Sequence, residues 1–210
     1  MSHASDPRLL VLHGLKLKGF AEPDALAAVV GLKQPVVAKT LTALVECGNA
    51  IRRDGRISGF ALTPAGRAEH ASGLKAEIET IGQRDHITGQ YRDFLVLNSE
   101  LLVVCTAWQV KDLATNTLND HSDKRYDAEV VDRLGAIHDG VGPICESLTD
   151  VLARYRPYHG RFVGALTMVR KGEPEWFAKP IIDSYHTVWM EMHEDLLATL
   201  AIDRANEAAH

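Results

Sequence analysis

Apolar positions in the first fifty residues recur every three or four places, in three short runs that each carry helix punctuation. Asp6 and Pro7 stand as N-cap and first-turn residue before RLLVLHGLKLK, which predicts a helix ending near Gly19. Glu22, Pro23 and Asp24 open a second run, in which Leu26, Val29 and Val30 share one face before Gly31 stops it. Pro35 opens a third, with Val37, Leu41 and Leu44 at i, i+4 and i+7 and Gly48 just past its end. The period then shortens. Ala50 and Ile51, then Ile57, Phe60 and Leu62, occupy strand-like positions about the turn Arg52-Arg53-Asp54-Gly55-Arg56, and Thr63-Pro64 caps another helix. Three helices, a hairpin and a helix are the order of a winged helix-turn-helix.

Beyond Ser72 the pattern is helical throughout. It predicts helices from near Gly73 into the eighties, interrupted by Gly82 or Gly89, then over 91–113, 126–155, 160–171 and 180–202. A loop is expected at 115–124, with Pro157 and a Gly172–Pro174 turn as breaks. No run alternates like a strand for more than four residues. The reading is a mainly α protein: a winged helix with a small β-hairpin wing over 1–72, and an antiparallel helical bundle over 73–210 that dimerises and senses an effector.

The run PVVAKTLTALVECGNAIRR…LTPAGR resembles the DNA-binding core of the MarR-type winged-helix regulators, over about residues 8–72. Pro35, Leu44, Gly48, Arg53 and Leu62-Thr63-Gly66 occupy the positions of that family's pattern. Asn49-Ala50 is more polar than the usual Leu-Val, and the wing is short. The resemblance implies a recognition helix over 33–47 and a wing over 52–60.

Charge sharpens this picture. The chain carries a formal −5, yet residues 1–75 hold ten Lys/Arg against six Asp/Glu, and the remainder thirteen against twenty-two. A polyanion is therefore expected to meet the first third alone. A helix fills the major groove, where Gln34 suits adenine, Lys39 suits guanine or phosphate, and Val36 and Thr40 suit a thymine methyl. Lys33 completes the polar face; Arg53 and Arg56 serve phosphates or a narrow minor groove. Double-stranded DNA read by a homodimer is the expected partner, and a regulatory or scaffold subunit whose winged helix mediates protein–protein contact is the alternative.

The helical body has polar residues where core is expected. Asn98, Trp108 and Gln109 lie in or beside the stripe Phe94, Leu97, Leu101, Cys105. The last helix has two apolar faces. Ile181, Tyr185, Val188 and Met192 form one; His186, Met190 and His193 form the other, with Trp189 between. Asn98, Gln109, His138, His186 and His193, with Trp108, Tyr185 and Trp189, are read as a pocket for a small polar or anionic effector, the alternative being that the histidines are interface or partly buried core residues bonded locally. A divalent metal held by His138, His186 and His193 with Asp183 or Glu194 is a weaker reading, similar only in architecture to metal-binding GntR-type effector domains. No metal or cofactor is assigned.

The remaining features exclude classes. Cys47, Cys105 and Cys145 have neither knuckle nor redox spacing. The most apolar stretch, Phe94 to Val110, is broken by Asn98, Glu100 and Gln109 and is roughly 17 residues, short for a span, so a buried helix is expected. No secretory signal is seen, and a cytoplasmic protein without membrane partner is expected. No G-x-S-x-G, P-loop, H-E-x-x-H or dinucleotide fingerprint appears, so a non-enzyme is expected.

Overall fold

The computed structural model describes residues 2–180 and 182–205. In chain order it holds α1 (Pro7–Lys18), α2 (Pro23–Val30), α3 (Gln34–Glu46), β1 (Ala50–Arg53), β2 (Gly59–Leu62), α4 (Pro64–Ile81) and α5 (Arg84–Gln109). Then follow β3 (Val110–Asp112), β4 (Thr117–Leu118), α6 (Lys124–Val151), a 3-10 turn (Ala153–Tyr155), α7 (Arg156–Arg170), α8 (Glu175–Ala178) and α9 (Tyr185–Leu200). The described residues are mainly α with two small antiparallel hairpins. Among the described residues no single helix is long and apolar enough to cross a membrane.

The described chain divides into two compact units: residues 2–87, 149–157 and 191–205 form one, and 88–148 with 158–180 and 182–190 the other. A single boundary at residue 72 misses the two returning segments, and α4 runs straight through it.

In the first unit the punctuation acts as expected. The Asp6 carboxylate accepts from the N–H groups of Arg8 and Leu9 at 2.8 and 3.4 Å, and Gly19 and Gly31 end their helices at φ 69° and 68°. α2 and α3 meet at a bend of 113°. Val37, Leu41 and Leu44 are fully buried against Leu12, Leu15 and Leu26 in one apolar cluster that also takes Phe60 from the hairpin. β1 and β2 pair from Ala50↔Leu62 to Arg53↔Gly59, and Ala21 bridges Phe60 as a minimal third strand. Thr63 locks the hairpin to the helices: its hydroxyl accepts from Gly66 N–H at 3.1 Å and donates to Gly48 carbonyl at 2.7 Å. Gly66 packs on the Asn49 carbonyl so closely that a Cβ there would lie 1.9 Å from that oxygen.

Several boundaries differ from the sequence reading. The two helices expected on either side of Ser72 are one, α4, and Gly89 does not interrupt α5. The expected loop at 115–124 contains β4, which pairs with β3 through a register shift. These strands are two and three residues long, too short for any alternation to show. Pro157 sits inside the first turn of α7, where its missing N–H costs nothing, so that helix begins at Arg156. α9 starts at Tyr185, five residues after Pro180, and Ile181 lies outside the described residues.

The second unit's core gathers Phe94, Leu101 and Val104 from α5, Leu134, Val141 and Leu148 from α6, Phe162 from α7, and Trp189. α6 continues through Gly140, Gly142 and Pro143.

Candidate functional site

Burying Val37, Leu41 and Leu44 turns the opposite face of α3 outward. Val36 and Lys39 are exposed on it, Lys33 and Gln34 are exposed at the helix start, and Thr40 is half-buried, its hydroxyl donating to the Val36 carbonyl at 2.8 Å. Lys33 is the N-cap residue and no side chain caps the helix, and no acidic residue stands in its first turn. The exposed N–H end and its partial positive charge are therefore unneutralised, which favours an approaching anion. Only Val36 and Lys39 stand away from the buried stripe by helical period; Lys33 and Gln34 owe their exposure to the helix start.

The hairpin adds two free cations. Asp54 is taken by Arg52, whose Nε donates to it at 2.8 Å and whose guanidinium lies 5.3 Å from the Phe60 ring centre. Arg53 and Arg56 are exposed and make no ion pair among the described residues. Arg53 also lines an open cleft of 610 Å³ with Lys16 and Arg67, over an apolar floor of Leu15, Phe20 and Ile57.

In the second unit the residues expected to form a pocket are gathered only in part. Asn98 accepts from the Trp189 indole N–H at 2.9 Å, Trp189 stacks on Phe94 at 4.6 Å, and Tyr185 lies between Trp189 and His138 with ring centres 6.3 and 6.0 Å away. The Tyr185 hydroxyl and His138 Nδ1 are buried with no hydrogen-bond partner among the described residues. Burial, reinforced by the neighbouring His159, pushes the His138 pKa down; burial with Cys145 and Asp139 nearby pushes the Tyr185 phenol far up. His186 is half-buried and its pKa is lowered by burial. Trp108 belongs to a separate stack with Phe177 at 4.3 Å and His121 at 4.4 Å, Gln109 is exposed, and His193 falls in the first unit. No group of three or more His, Cys, Asp or Glu side chains suited to a metal occurs among the described residues.

The densest polar chemistry lies elsewhere, in the interior of the first unit. Arg154, 6% exposed, donates to Glu77, to Ser5 at 3.2 Å, to Thr199 at 2.8 Å and to Asp195 at 3.5 Å. Thr199 also accepts from the Tyr155 hydroxyl at 3.1 Å and donates to Asp195 at 3.1 Å. On the far side of Asp195, His13 Nε2 stands 3.0 Å away, in contact but out of line for a hydrogen bond, while His13 Nδ1 meets His70 Nε2 at 2.9 Å. Burial opposes charge on Asp195, but His13 and Arg154 outweigh it and hold the carboxyl well below the usual range. Burial first, and His13 second, push His70 down to about 3. Every member of this network is less than a tenth exposed, and it ties separate segments of the first unit together. The sequence reading singled out none of it. The only signals were a histidine inside the Leu10–Leu15 apolar run and an aspartate between Met192 and Leu196.

Compared with protein-family models, curated proteins and solved structures, the chain matches none of them.

Proposed function

We propose that this chain is a DNA-binding transcriptional regulator that acts as a homodimer and responds to a small ligand. The observation that carries the reading is the outward face of α3: an uncapped, acid-free helix start with Lys33, Gln34, Val36 and Lys39 exposed, beside a hairpin whose Arg53 and Arg56 are unpaired. α1 to α4 with the β1–β2 hairpin then act as a winged helix, α3 entering the major groove and the wing resting on phosphate. Two copies about a two-fold axis read a pseudo-palindrome, each contributing one recognition helix.

The ligand site belongs to the second unit, around Asn98, His138, Tyr185, His186 and Trp189. Two buried polar atoms without partners in an aromatic setting suit a small molecule with an apolar body and a polar head. Its binding changes the spacing of the two recognition helices and so the half-sites they match.

Selection of genomic fragments by the purified protein tests the reading. Bound fragments should share a pseudo-palindrome, binding should weaken steeply with salt, and Lys39→Ala and Arg53→Ala should each reduce affinity. Failure to select any fragment, or indifference to both substitutions, rejects it.

A further inference from the structure

The solvent face of a long helix is normally its charged face, and α5 breaks that rule. Its buried side holds Phe94, Leu101, Val104, Cys105 and Trp108. The opposite side, from Leu95 to Thr106, presents Leu95, Val96, Ser99, Leu102, Val103 and Thr106, with Glu100 at its margin as the sole charge. Val96, Leu102 and Val103 are 63, 55 and 57% exposed. Ser99 and Thr106 turn their hydroxyls back to the Leu95 and Leu102 carbonyls at 3.2 and 2.8 Å. This face can therefore be covered without stranding a polar group.

Its arrangement says what covers it. The four apolar side chains stand symmetrically about Ser99, with Val96 and Leu102 three residues to either side and Leu95 and Val103 four. We propose that a second copy of this chain docks here, the two α5 helices lying antiparallel and crossing at Ser99 on a two-fold axis. The small Ser99 side chains meet at the crossing and allow close approach. Leu95 and Val96 of one copy then pack on Val103 and Leu102 of the other, in positions set by the helical rise of about 1.5 Å per residue. Arg92 falls opposite Thr106 and Asp93 opposite Cys105, while Glu100, one residue from the axis, stands beside its own copy at the exposed margin, where solvent screens the pair. Antiparallel packing also sets the helix dipoles against one another favourably. An unrelated partner would call for no such self-complementary order. The proposal names the partner surface of the regulator proposed above and rests on that reading for its two-fold.

Analytical ultracentrifugation of the full chain, with a cysteine at the crossing point, tests it. The chain should sediment as a dimer, and Val103→Glu should raise the dissociation constant at least a hundredfold with an unchanged circular dichroism spectrum at 25 °C. In a Cys47→Ser background, Ser99→Cys should form a disulfide-linked dimer under mild oxidation, whereas Thr106→Cys should not. A monomeric full chain, a Val103→Glu protein that remains dimeric, or a dimer that Ser99→Cys fails to link overturns the proposal. A linked dimer that selects no DNA fragment supports this interface and rejects the regulator.

Discussion

Arg154 carries a full charge on a side chain that is almost wholly buried, and Glu77 and Asp195 offset the cost of that. Removing one partner strands the others: Arg154→Met should cost about 3–5 kcal/mol in urea unfolding, the range for breaking a buried ion pair. The same cluster makes stability depend on acid. His70, facing His13, Asp195, Lys16 and Arg154, is held down to about 3, against about 6.5 for a free imidazole. The unfolded chain therefore binds a proton that the folded chain refuses, so this contribution is complete above about pH 6.5 and is lost as pH falls toward 3. One such group changes stability by about 1.4 kcal/mol per pH unit in that window. Urea midpoints at pH 7 and pH 5 should differ accordingly, and His70→Gln should flatten the difference without abolishing it, since His138 and His186 are lowered too. Tyr185 gives the opposite test. Its hydroxyl is buried without a partner, so Tyr185→Phe should leave the melting temperature unchanged or raised, where loss of a satisfied hydroxyl would cost about 1 kcal/mol. The same substitution should abolish any ligand response.

Among the elements, those whose ends carry their own chemistry were legible in the sequence. Asp6, Gly19, Gly31 and Thr63 cap or stop helices where the residue types say they should, and the 3.6-residue period puts Val36 and Lys39 on the outside of α3, whereas Lys33 and Gln34 are exposed because they stand at its start. Glycines misled where packing, not backbone freedom, explains them. Gly73 looks like a helix break, yet it lies within α4, where a Cβ would come within 2.8 Å of Leu9 on α1. Gly66 is the stronger case, because the atom it would strike is a backbone carbonyl, which cannot move aside as a leucine tip can. Gly66→Ala should therefore destabilise the first unit by at least the 1–3 kcal/mol typical of overpacking, and Gly73→Ala by less. Denaturant titration of the two variants checks the order. The Arg154 network escaped sequence reading for a different reason. Its members come from separate segments near residues 5, 13, 70, 77, 154 and 195, and no period or spacing joins them.

At the scale of the whole molecule, binding a polyanion with a net charge of −5 requires that a few cations act locally, and this sets a quantitative test of which residues they are. Each phosphate contact releases counterions and contributes about 0.9 to the slope of log affinity against log salt. If Arg53 and Arg56 rest on phosphate in both copies of a dimer, the double substitution to alanine removes four contacts and should flatten the slope by about 3.6. It should also weaken all sequences by the same factor, since phosphates carry no sequence. Gln34 at the exposed start of α3 should do the reverse: Gln34→Ala leaves the slope in place and changes the ranking of bound fragments, costing about 1–3 kcal/mol on the preferred one only. Fluorescence anisotropy over a salt series, on one selected and one scrambled fragment, separates the two effects. Equal losses on both fragments for Gln34→Ala would remove α3 as the reader of sequence, and an unchanged slope for the arginine pair would remove the hairpin from the DNA.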